Sequence, residues 1–176
     1  MPPARPTHRA GGTVRITYLD PAAVLEQAAN LIAIAVAVFT APPWNEPPAL
    51  AARAALRLLT DSAHGGFTAA VATREADLCG FAYGVRSRHL ETLAGAAPSP
   101  LVPFELRELA TDPRHRGTGI GAQLHDAIAQ RTVGTPGWLT THPAARPALN
   151  LYRSRGWSTA ALLYGPETPR LLMRRS

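Results

Sequence analysis

The chain contains no lysine: all eighteen of its basic residues are arginine. A Walker-type phosphate loop needs a Gly-Lys-Ser/Thr step, so that class of nucleotide site is excluded. There is one cysteine, Cys79, which excludes an internal disulfide and a cysteine-based metal cluster. No metal site is expected. Aromatic residues make up only 6% and the basic residues are scattered. A nucleic-acid surface is therefore not expected, despite a net charge of +6. The longest apolar run, Leu31 to Phe39, falls well short of the roughly 20 residues that cross a bilayer. The start is rich in Pro and Arg and carries no apolar signal core. A soluble, cytoplasmic protein is expected, with no membrane partner.

What is present is enough for one domain. A length of 176 residues with 46% apolar content supports a real core and ordinary globular packing.

The most informative stretch runs from Glu105 to Arg131. Phe104 to Thr111 alternates and reads as a strand, which Asp112-Pro113 stops. Arg116-Gly117-Thr118-Gly119-Ile120-Gly121 follows, then an amphipathic run in which Ile120, Leu124 and Ile128 form an apolar stripe. The glycines let backbone approach a ligand closely. The first N–H groups of the helix have no intrahelical partner, and with the helix dipole they suit a phosphate or pyrophosphate. Arg114 and Arg116 add positive charge. A dinucleotide fingerprint is the rival reading, because Gly117-x-Gly119-x-x-Ala122 satisfies its loose form. That motif follows its strand directly, whereas Asp112 to Arg116 intervene here. No acidic residue stands about twenty positions on to hold a ribose.

The pattern resembles the GCN5-related N-acetyltransferase (GNAT) family. Its phosphate loop reads Arg/Gln-x-x-Gly-x-Gly/Ala, which Arg116 to Gly121 fit. Glu108 to Pro113 is similar to the family's fourth strand. Ala148-x-x-Leu151-Tyr152-x-x-x-Gly156-Trp157 is similar to its last helix and following strand. Both motifs stand in the family's order and spacing, and the resemblance is strong from Leu106 to Trp157. It implies a single α/β domain over residues 13–176, after a tail at 1–12. The sheet would be mixed, mostly antiparallel, with six to seven strands and about four flanking helices, split between the fourth and fifth strands. It also implies acetyl-CoA as the donor and a small-molecule primary amine as the acceptor, joined by direct attack in a ternary complex. A protein or peptide amine is the alternative acceptor, and a non-catalytic acyl-CoA sensor the alternative from another class. A homodimer remains open.

The resemblance also distributes roles. The cofactor would lie against Leu109, Ala110, Thr111, Arg114, Arg116, Gly117, Thr118, Gly119, Ile120, Gly121, Ala122 and Tyr152. Glu108 is the candidate base and a candidate substrate contact. Alternation puts it on one face with Leu106 and Ala110, and Glu105 on the other unless a bulge intervenes. Tyr152 is the candidate acid, since a phenol with a pKa of about 10 is protonated at neutral pH. Many family members carry Asn where this chain has Ala145, and Asn150 points elsewhere on the helix. His142 is the candidate replacement.

The remaining chain yields local expectations. Val14 to Tyr18 is a strand. Asp20-Pro21 starts a helix to Phe39 with Leu25, Ala29, Ile32, Val36 and Phe39 inward. Pro42, Pro43, Pro47 and Pro48 stiffen a loop that presents Trp44 and Glu46, both candidate acceptor contacts. Ala49 to Asp61 is a helix. Phe67–Ala72 and Leu78–Val85 form a hairpin, with Cys79, Phe81, Tyr83 and Val85 on one face and Gly80 and Gly84 on the other. Ser87 to Pro103 is a long loop over the acceptor, where Arg88, His89 and Glu91 are minor candidates. Gly137 to Thr141 is a strand. Pro147 opens the Tyr152 helix, Gly156 caps it, and two strands close the chain around Gly165-Pro166-Glu167.

Overall fold

A computed structural model describes residues 12–164 and 169–176. The elements run β1 (Val14–Leu19), α1 (Pro21–Glu26), α2 (Ala28–Phe39), α3 (Pro48–Asp61), β2 (Thr68–Arg74) and β3 (Asp77–Arg86). They continue with α4 (His89–Leu93), β4 (Phe104–Thr111), α5 (Ile120–Arg131), β5 (Gly137–Thr141), α6 (Arg146–Ser154), β6 (Ser158–Leu163) and β7 (Arg170–Arg175). The seven strands form one sheet in the order β1-β2-β3-β4-β5-β7-β6. Every neighbouring pair is antiparallel except β4–β5. The expected mixed sheet is thus present. The expected tail falls mostly on residues 1–11, outside the described residues, as does the break at 165–167.

Each face of the sheet buries its own core. Val24, Leu31 and Leu58 from α1–α3 pack on Val71, Phe81 and Tyr83. Ile120 and Leu124 of α5 and Leu149 of α6 pack on Ala82, Leu139 and Met173. Burying each large aliphatic side chain contributes roughly 1.5–3 kcal/mol, so the central helix is held chiefly by its stripe. Asp20 caps α1 by accepting from the Ala23 N–H at 2.8 Å. Gly156 closes α6 with a φ of 79°, a conformation that costs other residues strain.

Several local expectations are corrected. The first helix breaks at Gln27, whose φ/ψ of −97°/5° resets the helical phase. Leu25 is exposed, Ala29 too, and the inward row is Val24, Leu31, Ile34, Ala35, Val38 and Phe39. The Ser87–Pro103 loop contains α4, too short for a periodic signal. These two changes raise the number of α-helices among the described residues to six. A register shift between Ala72 and Thr73 leaves Cys79 unpaired. That bulge turns Cys79 away from Phe81 and into the α5 core. Gly80 and Gly84 pack closely against β4. A Cβ on Gly80 would stand 2.6 Å from the Ala110 carbonyl oxygen, and one on Gly84 would overlap the Glu105 carbonyl and the Phe104 ring.

Candidate active site

The parallel pair β4–β5 stays together only from Phe104↔Gly137 to Leu106↔Leu139. Beyond Leu106 the strands diverge and β4 has a neighbour on one side only. The Asp112 N–H donates to the Cys79 carbonyl on β3 at 2.9 Å. Alternation along the strand then turns the N–H of Ala110 to β3 and those of Leu109 and Thr111 into the open wedge.

The second determinant is a bulge in β4. Tyr83 pairs with Glu108 and Gly84 with Leu106, so Arg107 is an extra residue. Such an insertion breaks strict alternation. The expected sharing of one face by Glu108 and Leu106 is therefore corrected. Phe104 and Leu106 enter the α5–α6 core, while Glu108 reaches α3 on the opposite face. Glu105 lies on Glu108's side, with its Oε1 accepting from the Leu90 N–H of α4 at 2.6 Å.

Glu108 lines a cavity of about 350 Å³. Its side chain is 11% exposed and accepts from Arg57 Nη2 of α3 at 2.7 Å. Burial raises its pKa, and the Arg57 charge and hydrogen bond pull the other way. The result is a carboxyl poised closer to neutrality than usual, as a general base requires. Tyr152, from α6, lines the same cavity from across the wedge. Burial, then the Glu108 charge, pushes its phenol above the ordinary value, so it holds its proton at neutral pH. Behind Tyr152 stands a polar chain. Trp157 Nε1 donates to His125 Nε2 at 2.9 Å. His125 Nδ1 therefore carries the proton toward Asp126 Oδ1 at 3.0 Å, and Arg155 clamps Asp126 with two bonds of 2.6 and 2.9 Å. Burial lowers the His125 pKa, which keeps the ring neutral beneath the tyrosine.

Trp44 and Glu46 both line the cavity. Trp44 also packs edge-on against Phe39 at 5.5 Å, so it closes the core and walls the site together. Glu46 accepts from Arg170 of β7 at 3.1 Å. His89 lines the cavity as well. Arg88 and Glu91 instead tie the loop: Glu91 is 2% exposed and accepts from Arg88 Nη1 and the Ser99 N–H, both at 2.8 Å.

At the mouth of the wedge, the loop before α5 fits a pyrophosphate. Gly119 is the N-cap with a φ of 82° and offers no side-chain cap to the helix. Cβ atoms at Gly117 or Gly119 would point into open space, which leaves the first N–H groups of α5 accessible. Ile120 is buried in the core and presents only backbone there, like Gly121 and Ala122. Thr118 Oγ1 donates to the His115 carbonyl at 2.6 Å. Arg116 is exposed. Arg114 is tied to Asp112 through its Nε and, at 2.7 Å, its Nη2. Ala145 is buried at the start of α6, Asn150 is exposed, and His142 Nδ1 accepts from the Ala144 N–H at 3.0 Å.

Sequence reasoning did not find Arg57, Arg107 or Arg170, which also line the cavity. They come from three elements far apart in the chain, and nothing local distinguishes them among eighteen arginines.

A sheet split beside a central helix whose first N–H groups are left open points to an acyl-transfer class of fold. Residues 65–159 match the acetyltransferase (GNAT) domain, over half of the chain. The chain belongs to this family; it is an N-acetyltransferase, and the family takes acetyl-CoA as donor. Solved structures share the fold. A histone acetyltransferase HPA2 and related acetyltransferase from Corynebacterium glutamicum is 22% identical, with a TM-score of 0.66 over 91% of this chain and 95% of that one. The PaiA N-acetyltransferase from Thermoplasma acidophilum, in complex with coenzyme A, is 14% identical (TM-score 0.64, 93% and 99% covered). The ribosomal-protein-S18-alanine N-acetyltransferase from Escherichia coli is 17% identical (TM-score 0.62, 93% and 93% covered). No curated protein matches the chain. Among the described residues, no helix is long and apolar enough to cross a membrane.

Proposed function

We propose that the protein acetylates a primary amine of a small molecule, with acetyl-CoA and amine bound together and the amine attacking directly. The observation that carries this reading is the cavity itself. Glu108 and Tyr152 line it from opposite sides of the wedge, and His89, Leu90 and Leu93 of α4 line it as well. Its volume of about 350 Å³ lies at the small-ligand end of binding pockets.

Backbone N–H groups from Gly117 to Ala122 hold the pyrophosphate, with Arg116 beside them. Bound there, acetyl-CoA supplies the thioester carbonyl that the amine attacks. The N–H groups of Leu109 and Thr111 face the position where that oxygen gains charge. Glu108 accepts the ammonium proton, directly or through a water, and Arg57 steadies its carboxylate. The Tyr152 hydroxyl donates a proton to the departing sulfur. Trp44 and Glu46 wall the acceptor.

The test is thiol release from acetyl-CoA with amines graded by size. Single amines below the cavity volume are expected to show higher kcat/KM than peptides or folded proteins. Turnover restricted to polypeptide amines contradicts the small-molecule reading.

A further inference from the structure

The cavity wall carries three guanidiniums and two carboxylates. Two of the guanidiniums are matched on the wall: Arg57 with Glu108 at 2.7 Å and Arg170 with Glu46 at 3.1 Å. Arg107 is different. It is the inserted residue of the β4 bulge, next in sequence to Glu108. Its Nη2 lies 3.1 Å from Oε2 of Glu105, but that contact lacks hydrogen-bond geometry, and both Glu105 Oε2 and Arg107 Nε are buried without a hydrogen-bond partner. Among the described residues Arg107 makes no side-chain hydrogen bond, although a guanidinium offers five donors in a planar fork. Glu105 is fully buried and pinned by its other oxygen to α4, so it balances the charge of Arg107 without saturating its donors.

We propose that the acceptor is an amine bearing a carboxylate a few bonds away, as in a free amino acid, with Arg107 reading the carboxylate and Glu108 the amine. This rests on the acetyl-transfer reading above. A guanidinium fork matches a carboxylate in two parallel hydrogen bonds, which is the geometry Arg serves best. The bulge brings that guanidinium and the candidate base to one cavity wall from adjacent residues. A polyamine or an aminoglycoside offers Arg107 no carboxylate and sets further positive charge beside it.

The experiment compares each amino acid with its own methyl ester, alongside spermidine and kanamycin, by thiol release from acetyl-CoA. Wild-type protein is expected to favour the free acid over the ester by about tenfold or more in kcat/KM. In Arg107→Gln the acid-to-ester ratio should fall toward one, chiefly through the KM of the acid. This comparison within wild type needs no variant, so poor folding of Arg107→Gln does not blunt it. Equal turnover of acid and ester, or better turnover of the polycations, overturns the proposal while leaving acetyl transfer intact. No amine-dependent thiol release with any member of the panel contradicts the transfer reading itself, and this inference with it.

Discussion

At the residue scale the proposed chemistry rests on one carboxyl and its partner. Burial raises the Glu108 pKa and Arg57 opposes that rise. A base works only when deprotonated, so the rate should fall as pH drops through the Glu108 pKa. Arg57→Gln removes the opposing charge and lets the pKa climb further. The acid limb of the kcat/KM profile should then move to higher pH. A profile that stays in place would mean that Arg57 holds a structural post and another group sets the limb. Tyr152 gives a second test. Tyr152→Phe keeps the ring between His125 and Trp157, where centroids lie 6.3 and 6.2 Å away, and removes only the hydroxyl. Where thiolate protonation limits turnover, kcat should fall about 10²–10⁴-fold with CoA affinity nearly unchanged. Collapse of affinity with kcat preserved would recast Tyr152 as a binding residue. Both residues were legible in the sequence because each sits inside a local motif. Arg57, Arg107 and Arg170 were not, because only the tertiary fold brings α3, β4 and β7 to one cavity.

At the element scale the same contrast holds. Strands β4 and β5 and helix α5 stand where alternation and the four-residue stripe put them, since each pattern reflects one buried face. The bulges at Cys79 and Arg107 left no trace in composition. They arise from pairing with a neighbouring strand, and each reverses the faces on one side of it. The bulge at Arg107 matters for the site, because Arg107 and Glu108 line the cavity while Phe104 and Leu106 join the core under α5. The start of α5 carries its own prediction. Gly119 has a φ of 82° and open space where a Cβ would stand. Gly119→Val strains that conformation by roughly 1–2 kcal/mol and puts methyl groups over the exposed N–H donors. CoA affinity by calorimetry should drop at least about tenfold, near 1.4 kcal/mol, in a protein that still unfolds cooperatively. Unchanged affinity would move the pyrophosphate away from this loop.

At the scale of the whole molecule the sheet is divided in two. Its paired half, β1 to β4, and its β5–β7–β6 half meet over three residue pairs, then part. The core under α5 and α6 includes residues of both halves, and α4 packs on β5 and β7 from the other face, so the wedge is a property of the packed domain. The single-domain architecture was readable from length and motif order. The order β5-β7-β6, with the last strand inserted beside β5, was not, because strand order depends on long-range pairing that no local window contains. The insertion brings Arg170 of β7 to Glu46 of the proline-rich loop, joining the two halves at the cavity wall.

The most direct test is a single-turnover experiment. Protein in excess over acetyl-CoA is mixed with a saturating small primary amine, and free thiol and N-acetylated amine are followed together. The account predicts one acetylated amine for each thiol released, at equal rates, with no thiol released when amine is omitted. Thiol release without amine, an acetylated protein accumulating before product, or bound acetyl-CoA that never turns over would each contradict it.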